Sequence, residues 1–320
     1  MFSRIRFWLD CSRWYTLPMS IFSWIVIFVY TVRHGGNGLY GLIALVGICF
    51  AHLGTNLFDD YCDYKKLKKN IVGGKTELPN TQRGKCRYIT DGSITLNDVL
   101  NIVFFYCFLS FCIGMFFFFS VGFEVLYFVI SGGLIVLCYS YLSNRRFSEL
   151  AVGMAFGPIL FGGVYYVMTG TVEPAPFILS VPFSLFTVNL LYTDTYLDKN
   201  IDKNEGKKTL VSLFKTDADS LLFQKLLILS GYISICLLPV LKIADWKILI
   251  VLLTVPFAID LIISTEMYSK NIIPEKRWYH FPFEDWEDIV ENRSVSFMFR
   301  MYQARNLMIY ISVLSVLALI

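Results

Sequence analysis

Charge is scarce in this chain. Asp, Glu, Lys and Arg make up 17% of its 320 residues, against 56% hydrophobic residues and a mean hydropathy of +0.57, whereas a soluble domain carries about a quarter charged residues to cover its surface. The eight cysteines include no CxxC pair; Cys49, Cys107, Cys112, Cys138 and Cys236 lie inside apolar stretches, and Cys11, Cys62 and Cys86 lie in or beside polar ones. His34, His52 and His280 form no HExxH. Structural zinc, haem attachment and a disulfide scaffold are therefore not expected. No small-residue cleavage site accompanies the first apolar block, which follows Arg4, Arg6 and Arg13, so that block reads as a retained helix and not a signal peptide. A net charge of only +3 gives no reason to expect a nucleic-acid partner.

Apolar blocks are plentiful. A bilayer takes about 20 residues per helix, and nine spans are predicted over 16–33, 39–57, 98–119, 123–142, 149–168, 176–193, 220–240, 246–265 and 304–320. With the N-terminus in the cytoplasm, that side receives 1–15, 58–97, 143–148, 194–219 and 266–303. Counting Lys225 and Arg305, just inside adjacent helices, it then holds 25 of the 28 Lys and Arg, all but Arg33, Lys242 and Lys247. The positive-inside rule accordingly predicts an integral protein of the cell inner membrane with a cytoplasmic N-terminus. Outer turns such as Arg33–Gly38 and Ser120–Gly122 are tight, while the second, sixth and eighth helices open into long polar segments on the cytoplasmic side. Such loops commonly carry function.

A weak internal repeat organises the spans. The second helix ends in Asn56-Leu-Phe-Asp59-Asp60-Tyr-Cys-Asp63, and the sixth in Asp194-Thr-Tyr-Leu-Asp198-Lys-Asn-Ile-Asp202. The two motifs lie four helices apart, as parallel repeats would place them. The expected fold is thus all-α, with two pseudo-repeated four-helix halves and a ninth helix forming a single domain over 1–320. Within it, 266–303 is read as an atypical cytoplasmic loop. Its Trp278, Tyr279, Phe281, Phe283 and Trp286 suit a segment lying on the membrane.

The two helix ends carry the chemistry. Asp194, Asp198 and Asp202 are spaced i, i+4, i+8, so their carboxylates share one helix face. Asn56 and Asp60 are likewise i, i+4, with Asp63 a turn beyond and His52 a turn before. Like charges on one face repel unless a cation neutralises them, and ionisable groups at a membrane boundary are usually functional. Oxygen ligands without His or Cys clusters select a hard ion, and Mg²⁺ commonly bridges one or two carboxylates to substrate phosphates. Lys207 and Lys208 lie a turn past Asp202, and Arg83, Lys85 and Arg87 follow the first motif. Two such clusters facing one another would suit a magnesium-bound diphosphate. Taken singly, each feature has a plainer reading: Asp at a helix end is usually solvated, a Lys-rich loop usually sets topology, and His52 reads first as a hydrogen-bonded packing residue.

At these residues the chain resembles the UbiA-type intramembrane prenyltransferases, and within them the branch that prenylates 1,4-dihydroxy-2-naphthoate for menaquinone. Arg13-Trp-Tyr-Thr-Leu-Pro18 resembles the family's RPxTLP opening, Asn56–Asp63 its NLxNDYxD motif, and Arg87-Tyr-Ile-Thr-Asp-Gly92-Ser-Ile-Thr its R-x4-G-x-I-T loop. Glu149, Phe156-Gly-Pro158 and Gly163–Gly170 resemble its GE…FGP…GxYYxxTG helix, and Asp198-x3-Asp202-x3-Gly206-Lys-Lys-Thr-Leu210 is the most specific match. The likeness is spread over most of 10–215. Departures are Asp59 where Asn is usual, Leu197 where the menaquinone branch commonly has Arg, and the long 266–303 loop.

The resemblance implies nine helices around a central, lipid-facing cavity, where Mg²⁺ or Mn²⁺ holds an isoprenyl diphosphate donor for transfer to an aromatic acceptor. Asp60, Asp63, Asp198 and Asp202 would be catalytic. Asn56, Asp59 and Asp194 would join them around the metal. Arg13, Asn56, Arg87, Arg145, Lys207 and Lys208 would bind diphosphate or acceptor. A UbiA-like terpene cyclase and a non-enzymatic carrier of polyprenyl phosphates are the other classes that this sequence admits.

Overall fold

Apolar stretches bounded by Pro, Gly and Thr fold as long helices in the computed structural model, which describes residues 2–72, 87–143, 145–204, 208–270, 272, 275–280, 287 and 295–320. Helix α1 (Phe2–Cys11) leads through a 3-10 turn into α2 (Pro18–Arg33), where Pro occupies the first helical position that tolerates it. Then come α3 (Gly38–Val72), the short α4 (Arg87–Thr90), α5 (Leu96–Ser120) and α6 (Val125–Leu142). Thr95 and Asp98 form a reciprocal capping box at the start of α5, which fixes that boundary.

Helix α7 (Ser148–Met154) passes through a π-turn at Ala155–Ile159 into α8 (Leu160–Thr169). Pro158 has no N–H to continue the ladder, and Gly157 takes φ −102°, ψ −107°, so the helix kinks there. Helix α9 (Pro174–Leu197) is followed at once by α10 (Lys199–Asn204). Thr216 caps α11 (Asp217–Val240), a 3-10 stretch at Trp246–Thr254 feeds α12 (Val255–Ser269), and α13 (Val295–Leu319) closes the described chain. Among the described residues there is no strand, and nine helical stretches are long and apolar enough to span a bilayer, one for each predicted span.

Two compact units divide the chain: Met1–Ile21 with Gly38–Tyr141, and Phe22–Asn37 with Leu142–Ile320. The division near residue 142 follows the repeat read from sequence, but most of the first span groups with the second unit.

In the first unit α3 packs along α5, around a core of Leu53, Leu57, Val99, Val103 and Tyr106. Gly54 permits the approach, since a Cβ there would lie 3.3 Å from the Tyr106 Cβ. In the second unit α9 is central, packing on α7, α11 and α13. Its contact with the kinked helix is closer still, because a Cβ on Gly157 would fall 2.6 Å from the Cβ of Ser184. Small residues that let helix backbones meet are how membrane helices associate, since lipid offers no hydrophobic force between them. Phe104, Phe108, Phe119 and Leu137 stay exposed on the helices, as lipid-facing positions should.

Candidate functional site

The first helix end lies on α3. Arg13, just before α2, adopts a left-handed backbone (φ 56°, ψ 48°) that a non-glycine residue takes at a cost of about 1–2 kcal/mol. Its Nη2 donates to Asp60 Oδ1 at 2.9 Å and to the Asn56 carbonyl at 2.9 Å, and lies 3.7 Å from Asp59. Tyr88, on α4, donates its hydroxyl to the other Asp60 oxygen at 2.6 Å. The Asp60 side chain is 0% exposed, while Asp59 and Asp63 keep 13% and 17%. Burial works against the Arg13 charge, but Asp60 and then Asp59 outweigh it and hold the guanidinium above its ordinary pKa. Cys11, close by, has its thiol pushed up to about 12 by burial and then by Asp10 and Asp60, so it stays protonated.

Neighbouring side chains fix the motif's orientation. Asn56 Nδ2 donates to the Ser12 carbonyl and to Thr16 Oγ1, both at 3.0 Å. Thr16 spends its one hydroxyl proton on the Arg13 carbonyl. His52 Nε2, 3.1 Å from Thr16 Oγ1, must therefore be the donor, which leaves Nδ1 to accept from Ser20 at 2.7 Å. His52 thus packs the start of α2 against α3. Lys66 contacts Asp63 at 3.6 Å and donates to Ser140.

The second helix end is not one straight helix. Helix α9 stops at Leu197, and Asp198 takes φ −91°, ψ 4°. The i+4 backbone bonds nevertheless run Asp198 N–H to Asp194 C=O at 3.1 Å and Asp202 N–H to Asp198 C=O at 2.9 Å. The three aspartates therefore remain a ladder across the break. Asp194 and Asp198 are half-buried and Asp202 is 8% exposed. Glu149, buried on α7, accepts from Ser148 at 2.7 Å and from Thr195 at 3.3 Å, tying α7 to this helix end.

The donor sets fit Mg²⁺. They offer carboxylate oxygens near the surface on Asp59 and Asp63, and the Asn56 Oδ1 accepts no bond from the described residues. No three of His, Cys, Asp and Glu converge as a ready-made cage among the described residues. Mg²⁺ needs only one or two carboxylates when phosphates and waters complete its shell.

The remaining expected positions are placed as follows. Lys208 and Arg145 are exposed in loop segments, and Arg87 opens α4 with its side chain outside the described residues. Lys207, Gly206, Phe281, Phe283 and Trp286 lie outside them altogether. The loop before α13 is shorter than 266–303, since α12 runs to Ser269 and α13 starts at Val295. Trp278 is exposed, but Tyr279 packs on Phe257, and buried His280 lies 2.6 Å from Asp260. Sequence reading missed Tyr88, the partner of Asp60, and Tyr268, which donates to the Leu197 carbonyl at 2.6 Å. Tyr88 fills an unspecified position of the R-x4-G-x-I-T loop, and Tyr268 lies in no motif.

Comparison with known proteins follows the same lines. The chain is 24% identical over 223 residues to a 1,4-dihydroxy-2-naphthoate octaprenyltransferase of Haemophilus influenzae, covering 65% of this chain and 68% of that one. Among solved structures it resembles a UbiA homologue from Archaeoglobus fulgidus bound to GPP and Mg²⁺, with TM-score 0.60, 13% identity, and 92% and 97% of the two chains covered. It also resembles a protein solved in work on digeranylgeranylglyceryl phosphate synthase, with TM-score 0.59, 15% identity and 99% of both chains covered. The UbiA prenyltransferase family matches residues 19–275. This chain belongs to the UbiA prenyltransferase family and is an integral-membrane prenyltransferase.

Proposed function

We propose that the protein, with Mg²⁺ or Mn²⁺ bound, transfers a polyprenyl group from an isoprenyl diphosphate to a hydroxylated aromatic acceptor of the dihydroxynaphthoate kind, as in quinone biosynthesis. The observation that carries this is the Asp194–Asp198–Asp202 ladder, three carboxylates kept in helical register at the end of a membrane helix. Asp194, Asp198 and Asp202 hold metal at that end, and Asn56, Asp59 and Asp63 hold it at the other. Asp60 contributes its charge through Arg13, which it fixes against α3. When bound, Mg²⁺ neutralises the diphosphate and makes it a better leaving group. Arg87, Lys207 and Lys208 take up the charge that grows as the allylic carbon–oxygen bond breaks and its electron pair leaves with the diphosphate.

An electron-rich ring carbon then forms the new carbon–carbon bond, and the ring loses a proton to regain aromaticity. Hydroxyl groups on the acceptor make its ring electron-rich, and Arg145 meets an acceptor carboxylate. Apolar side chains keep water from the allylic cation. The acceptor assignment is supported by the Haemophilus influenzae relative and by the residues around Arg13, Arg87, Gly92 and Gly163–Gly170. The Lys and Arg distribution supports an inner-membrane protein with these helix ends on the cytoplasmic side.

The test is a competition. Purified protein receives one donor, Mg²⁺ and equal dihydroxynaphthoate and 4-hydroxybenzoate, with products resolved by mass. Prenylated naphthoate is expected, and EDTA should abolish it. Prenylated benzoate as the main product would refute the acceptor assignment. A hydrocarbon formed without any acceptor would make the protein a cyclase instead.

A further inference from the structure

Asp198 sits at the break between α9 and α10, so its direction depends on what holds the residues on either side. Both sides are held. The Leu197 carbonyl, at the end of α9, accepts from Tyr268 Oη at 2.6 Å. Such terminal carbonyls have no intrahelical donor and need a partner from elsewhere. On the other side, Lys199 Nζ lies 2.5 Å from Asp217 Oδ1 and 4.3 Å from the centroid of the Tyr196 ring.

Tyr268 is fixed in turn. The guanidinium carbon of Arg300, on α13, lies 5.1 Å from the centroid of its ring. Arg300 Nε donates to the Ser264 carbonyl at 2.6 Å, one turn before Tyr268, and Nη2 to the Ile272 carbonyl at 3.0 Å, beyond the end of α12. One side chain thus grips α12 above and below the tyrosine. Arg300 is 0% exposed, and its described partners are carbonyls, the Ser296 hydroxyl and an aromatic ring. A guanidinium buried in this way gives up its hydration without the return of a carboxylate partner, which marks the position as serving more than packing.

We propose that Tyr268, held in place by Arg300, is a positioning residue that aims Asp198 at the magnesium-bound diphosphate; this rests on the reading of Asp198 given above. It assigns work to the two helices that flank the 270–294 loop, neither of which carries an aspartate motif. Tyr268 acts through the backbone of Leu197 and touches no substrate.

Binding of inorganic pyrophosphate with Mg²⁺, measured by calorimetry on the detergent-purified protein, tests this without turnover. Tyr268→Phe keeps the ring beneath Arg300 and loses only the hydroxyl. It should weaken Mg²⁺–pyrophosphate binding about tenfold, in line with one lost hydrogen bond. The Mg²⁺ concentration for half-maximal rate should rise by a similar factor, with the acceptor KM unchanged. Arg300→Met should shift the same two quantities. Tyr232→Phe, which loses a buried hydroxyl bonded to Thr254, should shift neither. A folded Tyr268→Phe protein with wild-type pyrophosphate affinity and Mg²⁺ half-saturation overturns the clamp and leaves the reading of Asp198 standing. A wild-type protein that binds no Mg²⁺–pyrophosphate overturns both.

Discussion

The two aspartate-bearing helix ends solve one problem by different means. On α3 the helix is continuous, and the motif is held through a side-chain charge: Asp60 is sealed from solvent and shared by Arg13 and Tyr88. At the junction of α9 and α10 the helix is broken, and the hold is on the backbone, from Tyr268 to the Leu197 carbonyl. The first arrangement devotes one carboxylate to structure and leaves Asp59 and Asp63 nearer the surface. The second fixes the chain on both sides of Asp198 and leaves all three carboxylates in the ladder. Removing the Asp60 charge should therefore be felt as lost stability, and removing the Asp198 charge as lost chemistry.

That contrast can be broken directly. Asp198→Asn keeps the side-chain shape and removes the charge. Its turnover should fall about 100-fold or more, the scale of removing one transition-state charge stabiliser, with thermal unfolding unchanged. A variant that turns over within threefold of wild type would end the assigned role of the ladder.

Arg13→Gln should instead destabilise by about 3 kcal/mol, because it removes the cation facing the buried Asp60 carboxylate, and Asp60→Asn by less, because Arg13 keeps Asp59 at 3.7 Å. The double variant should cost less than the sum of the two, with a coupling of about 1–3 kcal/mol in denaturant unfolding. Additive losses would show that the pair does not act as a unit. Gly157→Ala should cost about 1–3 kcal/mol by forcing a Cβ against Ser184, where it would sit at 2.6 Å. A melting temperature equal to wild type would mean that α9 is free to give way.

The smallest effect should come from probes on the surface. Lys66→Cys and Lys203→Cys, in a background without native cysteines, should be labelled from the same side of the membrane in oriented vesicles. Labelling from opposite sides would contradict the topology drawn from charge.

The spans were legible because apolar runs of bilayer length have few other uses. The onset of α13 was not, because Arg300 and Gln303 interrupt its apolar pattern, as Asn306 does further on. They are nonetheless buried, with their polar atoms bonded to Ser264, Asp260 and the His280 carbonyl. Asn56, Asp60 and the Asp194–Asp202 ladder could be read from spacing alone, since helical periodicity is local. The pairings that hold them are not local: Arg13 lies 47 residues from Asp60, and Tyr268 lies 71 from Leu197. Nor does the sequence advertise the break at Asp198, which has no Gly or Pro beside it. The kink at Gly157–Pro158 carries its own signal.

That kink also says something about assembly. Pro158 has no N–H to give the Gly153 carbonyl, its i−5 partner across the π-turn, and in lipid an unmet carbonyl is costly. Ser184, from α9, donates to the Gly153 carbonyl at 2.8 Å, the same residue whose Cβ fills the space beside Gly157. A bent α7–α8 inserted by itself would lack that donor, and α9 inserted by itself would have a hydroxyl to place elsewhere. The bend and the docking of α9 should therefore form together, late, after both segments have entered the bilayer. During biosynthesis the half-made protein should hold the fifth span straighter and more exposed to proteases and chaperones than the finished enzyme does.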